Sequence, residues 1–359
     1  MAVKSIYAAF LDLVARKKPA ALATIVGLHG SGPQVVGASA LFSRAGLIAG
    51  TLGGGLLEAK AGRLAAAALE KKQSLFFDLD LRGHFGEADE ALCGGAVRVL
   101  IDASPAGHKH VFRRMEASLA AGKAGILVTI IESPTGRDLP ISRHWITLEK
   151  KSRDIQKKPI QLYRDAIKKG LRAPVAITTK AGLMVYVEPH EPPPRLIIVG
   201  AGHIGQALCR LGSRLGFRVI VLDDRPAYAR SFKLPDADRI FIGPVGRSLA
   251  RLPLGPDAYV VIVTPGHAKD AEALRACVKR PSAYIGMIGS KNKVRVMREN
   301  FLKRRWASAR EFDRVSAPVG LPIHSQTVEE IAVSIAAELV LVRRSSSLRT
   351  ERKEPWFGP

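Results

Sequence analysis

The residues best placed to do chemistry lie in the stretch RLIIVGAGHIGQALCRLGSRLGFRVIVLDD, Arg195–Asp224. Gly200, Gly202 and Gly205 form G-x-G-x-x-G between an apolar run and an amphipathic one. The first glycine permits a tight turn, the second lets a pyrophosphate approach the backbone, and the third lets helix and strand pack closely. Asp223 ends the next apolar run, where it could bind a ribose hydroxyl, and Arg225 beyond it could accommodate a phosphate. A second glycine turn, Gly53-Gly54-Gly55, also opens a helix. Its amides suit phosphate, or it is a tight connection with no ligand. Glu58 in the first turn of that helix matches the helix dipole. Cys93, followed by Gly94 and Gly95, has an accessible sulfur and nearby amide donors that would lower its pKa. That suits a metal ligand or a transient acceptor of persulfide sulfur; the alternative is a small buried residue in a tight turn. Cys209 and Cys277 fall on apolar helix faces and read as core. His267 and Asp270 follow the fourth strand of the second half, and Ser290 and Lys291 follow the fifth. Open α/β sheets bind ligands at that carboxyl edge, so His267 is a candidate catalytic group and Ser290 and Lys291 could hold a second phosphate.

The elements that must position these groups can be read from hydrophobic periodicity. Helices are expected over Ile6–Arg16, Leu56–Lys72 and Phe112–Ala121, and strands over Ala21–Leu28, Ala38–Phe42, Leu75–Leu81, Val97–Ile101 and Gly125–Ile131. Residues 133–171 are rich in Lys, Arg and Pro and read as an irregular elaboration. Val175–Thr178 and Leu183–Val187 form a closing hairpin, and Glu188–Pro194 (EPHEPPP) is a semi-rigid linker. The second half alternates strand and helix, with strands at Leu196–Val199, Phe217–Leu222, Arg239–Ile242, Tyr259–Val263 and Ala283–Met287. Its last helix opens at Thr327 with Glu330 three residues on, the pattern of a capping box. The fold class is therefore α/β, a C-terminal Rossmann-like doubly wound parallel sheet preceded by a smaller α+β domain. The expected division is 1–190 for the first domain, 191–194 for the linker, 195–344 for the Rossmann-like domain and 345–359 for a polar tail.

Composition sets the outer limits. The chain has 359 residues, 47% hydrophobic and 24% charged, enough for two cores. Three cysteines are too few for a disulfide framework and point to a reducing, cytoplasmic setting. No apolar run approaches the roughly 18 residues that span a bilayer. The net charge of +23 predicts attraction to polyanions. Its densest run, residues 291–314, carries Val, Met, Phe and Trp at helical spacing, which reads first as a solvated helix face and second as a surface for an acidic partner. Nucleic acid ranks third, because no nucleic-acid motif accompanies the charge.

Several segments together resemble one family: GSGPQVVGASALF, GTLGGGLLEA and LCGGAVRVLID in the first half, and PPPRLIIVGAGHIGQALCRL, VVIVTPGHAKDAEAL, YIGMIGSKNK and APVGLPIHSQTVEEIAVSIAAEL in the second. The chain is similar to the XdhC/CoxI family of accessory proteins for molybdenum hydroxylases. The resemblance implies a carrier, not a stand-alone catalyst. It would bind molybdenum cofactor (molybdopterin), protect it during sulfuration, and deliver it to an apo-hydroxylase such as xanthine or carbon monoxide dehydrogenase. It implies a cysteine desulfurase as a further partner and allows a homodimer. In that setting Glu58 could hydrogen-bond a pterin amide, Cys93 would contact the cofactor, and the two glycine turns would close over one anionic guest. The sequence departs from the family where Gln34 stands for Arg, Leu56 for Cys, His324 for Gly and Val328 for Pro. The competing class is a nicotinamide-dependent oxidoreductase binding NAD(P) on the Rossmann half, supported by Asp223 and lacking a clear proton donor and substrate-binding pair beyond His267 and Asp270. A third class, a basic interaction protein with a vestigial Rossmann domain, predicts no small ligand.

Overall fold

The structure, a computed structural model, describes residues 5–82, 92–132, 139–147, 173–178 and 183–351. The chain divides into two compact units, one of Lys4–Pro192 and one running from Pro193.

The first unit opens with helix α1, Ile6–Ala15, capped by the Ser5 hydroxyl, which accepts the Ala8 amide at 3.0 Å. Five strands follow: β1 Ala21–His29, β2 Ser39–Ser43, β3 Gly46–Gly50, β4 Leu75–Arg82 and β5 Leu92–Asp102. They form an antiparallel sheet in the order β3-β2-β1-β5-β4. Helix α2, Gly55–Lys71, lies on this sheet through small residues, Ala61, Ala65 and Ala68, packed with Ile25, Phe42 and Val99. Helix α3, Lys109–Ala120, leads to a second antiparallel sheet. Its order is β7-β6-β9-β8, with β6 Gly125–Ile131, β7 Ile141–Thr147, β8 Val175–Thr178 and β9 Met184–His190. A separate cluster, Tyr7, Phe10, Phe112, Met115 and Trp145, joins α1 and α3 to it.

The second unit is a five-stranded parallel sheet. Its strands are β10 Arg195–Val199, β11 Arg218–Asp223, β12 Arg239–Ile242, β13 Ala258–Ile262 and β14 Tyr284–Met287, in the order β12-β11-β10-β13-β14. Both faces are covered, so the strands are continuously apolar. Leu196, Ile198, Val219 and Val221 pack on one side with Leu208 and Leu339, and Ile197, Val199, Val260 and Ile262 on the other with Leu274 and Phe301. The helices are α4 His203–Arg214, α5 Val245–Arg251, α6 His267–Cys277, α7 Lys291–Lys303, α8 Ala309–Phe312 and α9 Val328–Glu351. The capping box at α9 forms: Glu330 N–H donates to Thr327 Oγ1 at 3.2 Å and Thr327 N–H to Glu330 Oε2 at 3.0 Å.

Four sequence expectations need amendment. Strand β3 has no signal in the sequence, because Gly46–Gly50 is half-exposed and carries little periodicity. Ile141–Thr147 is a strand inside the stretch read as irregular. Its Arg143 is buried against Asp102. Strand β9 runs to His190, taking three residues of the expected linker. Helix α9 continues to Glu351, into the expected tail. The other residues of 133–171 expected to be irregular lie mostly outside the described residues.

Candidate functional site

The glycine motif of the second unit separates cleanly into geometric roles. Gly200 has φ +117°, and a side chain there would meet the Val263 carbonyl oxygen at 2.5 Å. A side chain at Gly205 would meet the Gly200 carbonyl oxygen at 1.9 Å. Both positions require glycine for the fold alone. At Gly202, the N-cap of α4, nothing lies within 4 Å of where a side chain would stand. That space lies in front of the helix N-terminus at the carboxyl edge of the sheet, near the point where strand order reverses between β10 and β13. Phosphate fits there on the strength of free amides and the helix dipole.

Asp223, by contrast, is closed off. It is 2% exposed. Its carboxylate accepts the Ala201 amide at 2.6 Å, the Arg225 amide at 2.8 Å and the Arg225 guanidinium at 3.0 and 2.8 Å. Burial would raise its pKa, but the Arg225 side chain and the two amides outweigh it and hold the carboxyl below its usual range. The acid at the ribose position is thus fully engaged by its own chain. Arg225 also lies over the Tyr228 ring, 4.1 Å from its centroid.

Asp270 is engaged in the same way. It is fully buried, accepts from Thr264 Oγ1 at 2.6 Å and pairs with Lys293. This ion pair ties the first turn of α6 to the first turn of α7. The sequence singles out Lys291, yet Lys291 is exposed and it is Lys293 that turns inward. The only available signal was helical phase, since the third helical residue after the cap lies under the first turn. Ser290 caps α7 by accepting the Lys293 amide at 3.2 Å. His267 is exposed at the start of α6. His267, Ser290, Lys293, Val296, Arg304 and Trp306 are among the residues that line a groove of about 900 Å³ between α6 and α7. Trp306 is flanked there by Arg275 and Arg304, whose guanidinium carbons lie 4.8 and 4.9 Å from its ring centroid.

In the first unit, Gly53, Gly54 and Gly55 have φ of +106°, +75° and +56°, a run that only glycine adopts at low cost. A side chain at Gly53 would meet the Pro33 Cβ at 2.7 Å, whereas Gly54 and Gly55 face open space. Glu58 folds back onto this turn, accepting from Thr51 Oγ1 at 2.8 Å and from the Leu52 amide at 2.9 Å. Partial burial pushes its pKa up, and these hydrogen bonds more than reverse the effect. Glu58 therefore stabilises the turn that its helix begins. Cys93 and Gly94 lie in strand β5, not in a turn before it; their side-chain surroundings lie outside the described residues. Gly95 is a close-approach position, where a side chain would meet the carbonyl oxygens of Ser31 and His29 at 2.3 and 2.4 Å. Among the described residues no three His, Cys, Asp or Glu side chains gather as a metal site.

A buried polar group on strand β9 was also missed. Glu188 is 6% exposed and accepts the Tyr7 hydroxyl at 3.1 Å on each carboxylate oxygen. Burial pushes its pKa up to about 7, against the Tyr7 hydrogen bond and the Arg143 charge. Nearby, Arg143 pairs with Asp102, both nearly fully buried, and lies 3.3 Å from His108 Nδ1. The sequence hid this set because Glu188 sits in a proline-rich stretch that reads as linker.

Among the described residues, no helix is long and apolar enough to cross a membrane. The description XdhC and CoxI family matches residues 13–80, and XdhC Rossmann domain matches residues 196–339. A Bacillus subtilis (strain 168) protein, named as a probable subunit of xanthine dehydrogenase, is 29% identical over 335 residues, 92% of this chain and 96% of that one. An uncharacterized Escherichia coli (strain K12) protein, YqeB, is 26% identical over 200 residues, 55% of this chain and 36% of its own length. A crystal structure of a xanthine dehydrogenase from Bacillus halodurans superposes with a TM-score of 0.78 at 27% identity, covering 97% of both chains. With the XdhC and CoxI family matched over residues 13–80 and its XdhC Rossmann domain over residues 196–339, in that order, the chain belongs to the XdhC/CoxI family.

Proposed function

We propose that this XdhC-family accessory protein binds molybdenum cofactor and passes it, after sulfuration, to an apo molybdenum hydroxylase of the xanthine dehydrogenase type. The names of the two long relatives support the client. The observation that carries the ligand is the contrast at the Rossmann edge: space for an anion is open in front of Gly202, while Asp223 is taken up by Arg225 and the Ala201 amide. A phosphate end is accommodated without the ribose readout that a nicotinamide dinucleotide uses. The cofactor would supply the metal dithiolene, and this chain would supply amides for its phosphate and a shielded place for its ring. Cys93 is the candidate for contact with the metal centre or its sulfur. A cysteine desulfurase would act on the loaded carrier, and a second copy of the chain could complete the assembly.

The test loads the protein with molybdenum cofactor and mixes it with an apo-hydroxylase. Wild type transfers the cofactor and restores activity. Gly202→Ala, which puts a methyl group into that space without strain, loads at least about tenfold more weakly. Cys93→Ser loads but delivers less sulfurated cofactor. Tight binding of nicotinamide dinucleotide with turnover of a small substrate, and no retention of molybdenum cofactor, would replace this reading with an oxidoreductase.

A further inference from the structure

The groove of about 900 Å³ between α6 and α7 sets apolar side chains beside exposed cations. Met297 and Phe301 are buried beneath it, while Val296, in the same lining, is 42% exposed. Trp306 is half-buried there, its ring held edge-to-face by Phe301 with centroids 5.3 Å apart. A fixed, partly exposed tryptophan is the kind of side chain that carries binding energy at protein interfaces.

The charges of the groove are not equivalent. Lys293 is spent on Asp270, and Glu272 accepts the Gly246 amide at 3.1 Å. Along α7, Arg295 pairs with Glu299 and Arg298 with Asp313. Arg275 and Arg304 remain. Both are exposed, both lie over the Trp306 ring, and neither forms an ion pair among the described residues. Two oriented cations therefore stand beside an apolar cleft.

This charge decides between occupants. Residues 291–314 carry nine Lys and Arg against three Asp and Glu, in a chain of net charge +23, so a second copy of this face is repelled. A nucleic-acid strand needs free cations along its backbone and a bare ring for a base to stack on. Here Lys293, Arg295 and Arg298 are already paired, and the Trp306 ring already carries two guanidinium groups. An acidic amphipathic helix satisfies the whole set: its apolar stripe meets Val296 and Trp306, and its flanking carboxylates meet Arg275 and Arg304.

We propose that the α6–α7 groove is a docking surface for an acidic amphipathic helix of a partner protein, with Val296 and Trp306 as its apolar contacts and Arg275 and Arg304 as its charge contacts. The assignment stands whichever cargo the Rossmann edge holds.

The experiment titrates the full-length protein into a fluorescein-labelled helical peptide with Leu at positions i, i+3, i+4 and i+7 and Glu on both flanks, read by anisotropy. A peptide with every Glu replaced by Gln, a scrambled peptide of the same composition, and labelled oligothymidylate run beside it. Thermal unfolding checks that each variant is folded. Wild type binds the acidic peptide at least about tenfold more tightly than either control peptide, and added salt weakens binding. Arg275→Ala and Arg304→Ala each weaken it about 3- to 10-fold, and Val296→Asp at least about tenfold. Arg214→Ala, an exposed cation in the last turn of α4, leaves binding unchanged. The proposal is overturned if wild type ignores the acidic peptide or binds the control peptides equally well. Binding indifferent to Arg304→Ala and Val296→Asp in folded variants also overturns it. So does oligothymidylate binding tighter than the peptide with the same dependence on those residues, which would hand the groove to nucleic acid.

Discussion

The carboxyl edge of the parallel sheet and strand β9 treat buried polar groups in opposite ways. At the sheet edge each buried carboxylate is fully answered: Asp223 by Arg225 and two amides, Asp270 by Lys293 and Thr264. At β9, Glu188 has the Tyr7 hydroxyl, while the Tyr186 hydroxyl and His190 Nε2 have no hydrogen-bond partner among the described residues. An unpaired buried group costs about 1–3 kcal/mol, so the fold tolerates at β9 what it removes at the sheet edge. The difference teaches that charge at an expected ligand site can be structural, while the fold also carries buried polar atoms that no described residue answers.

The sharpest way to break this comparison is to remove Asp270. Asp270→Ala strands the Lys293 ammonium in a site where it is 14% exposed and should cost about 3–5 kcal/mol in denaturant unfolding. A loss below about 1 kcal/mol would show that the edge is not held by this pair. Gly205→Ala comes next, at about 3 kcal/mol, since the added carbon meets backbone at 1.9 Å. Gly202→Ala, three residues away, should change stability by less than about 0.5 kcal/mol.

Titration at β9 gives a third test. The folded Glu188 carboxyl, with pKa about 7 against a usual 4.5, keeps a proton that the unfolded one releases. Its contribution is full below about pH 4.5 and is lost as pH rises to about 7. His190, lowered from 6.5 to about 4, acts in reverse, so stability grows as pH rises across that window. The two slopes oppose each other in wild type. Relative to wild type, Glu188→Gln should steepen the rise and His190→Phe should steepen the fall, each by about 3 kcal/mol across that window. Identical pH profiles for the three proteins would refute the assignment. Tyr186→Phe has the smallest expected effect, a midpoint equal to or above wild type.

The sequence made backbone demands legible. The glycine triad between two apolar runs, and the Thr327–Glu330 cap, depend on neighbours a few residues apart, and both appear where expected. Long-range pairing was not legible. Arg143 looks like one more solvent-facing cation until Asp102, 41 positions away, is brought against it. Glu188 looks like part of a spacer until Tyr7 crosses to it from 181 positions away. Lys291 and Lys293 look equivalent until α7 sets their phase. Asp223 was correctly placed at the end of β11, but no local pattern shows that Arg225 would claim its carboxylate.

The most direct measurement is equilibrium dialysis of the purified full-length protein against molybdenum cofactor, with bound pterin, phosphate and molybdenum quantified per chain. The account predicts retention of pterin and molybdenum in equal amounts, with weaker retention in Gly202→Ala. No retention by wild type, or retention indifferent to Gly202→Ala, would contradict it.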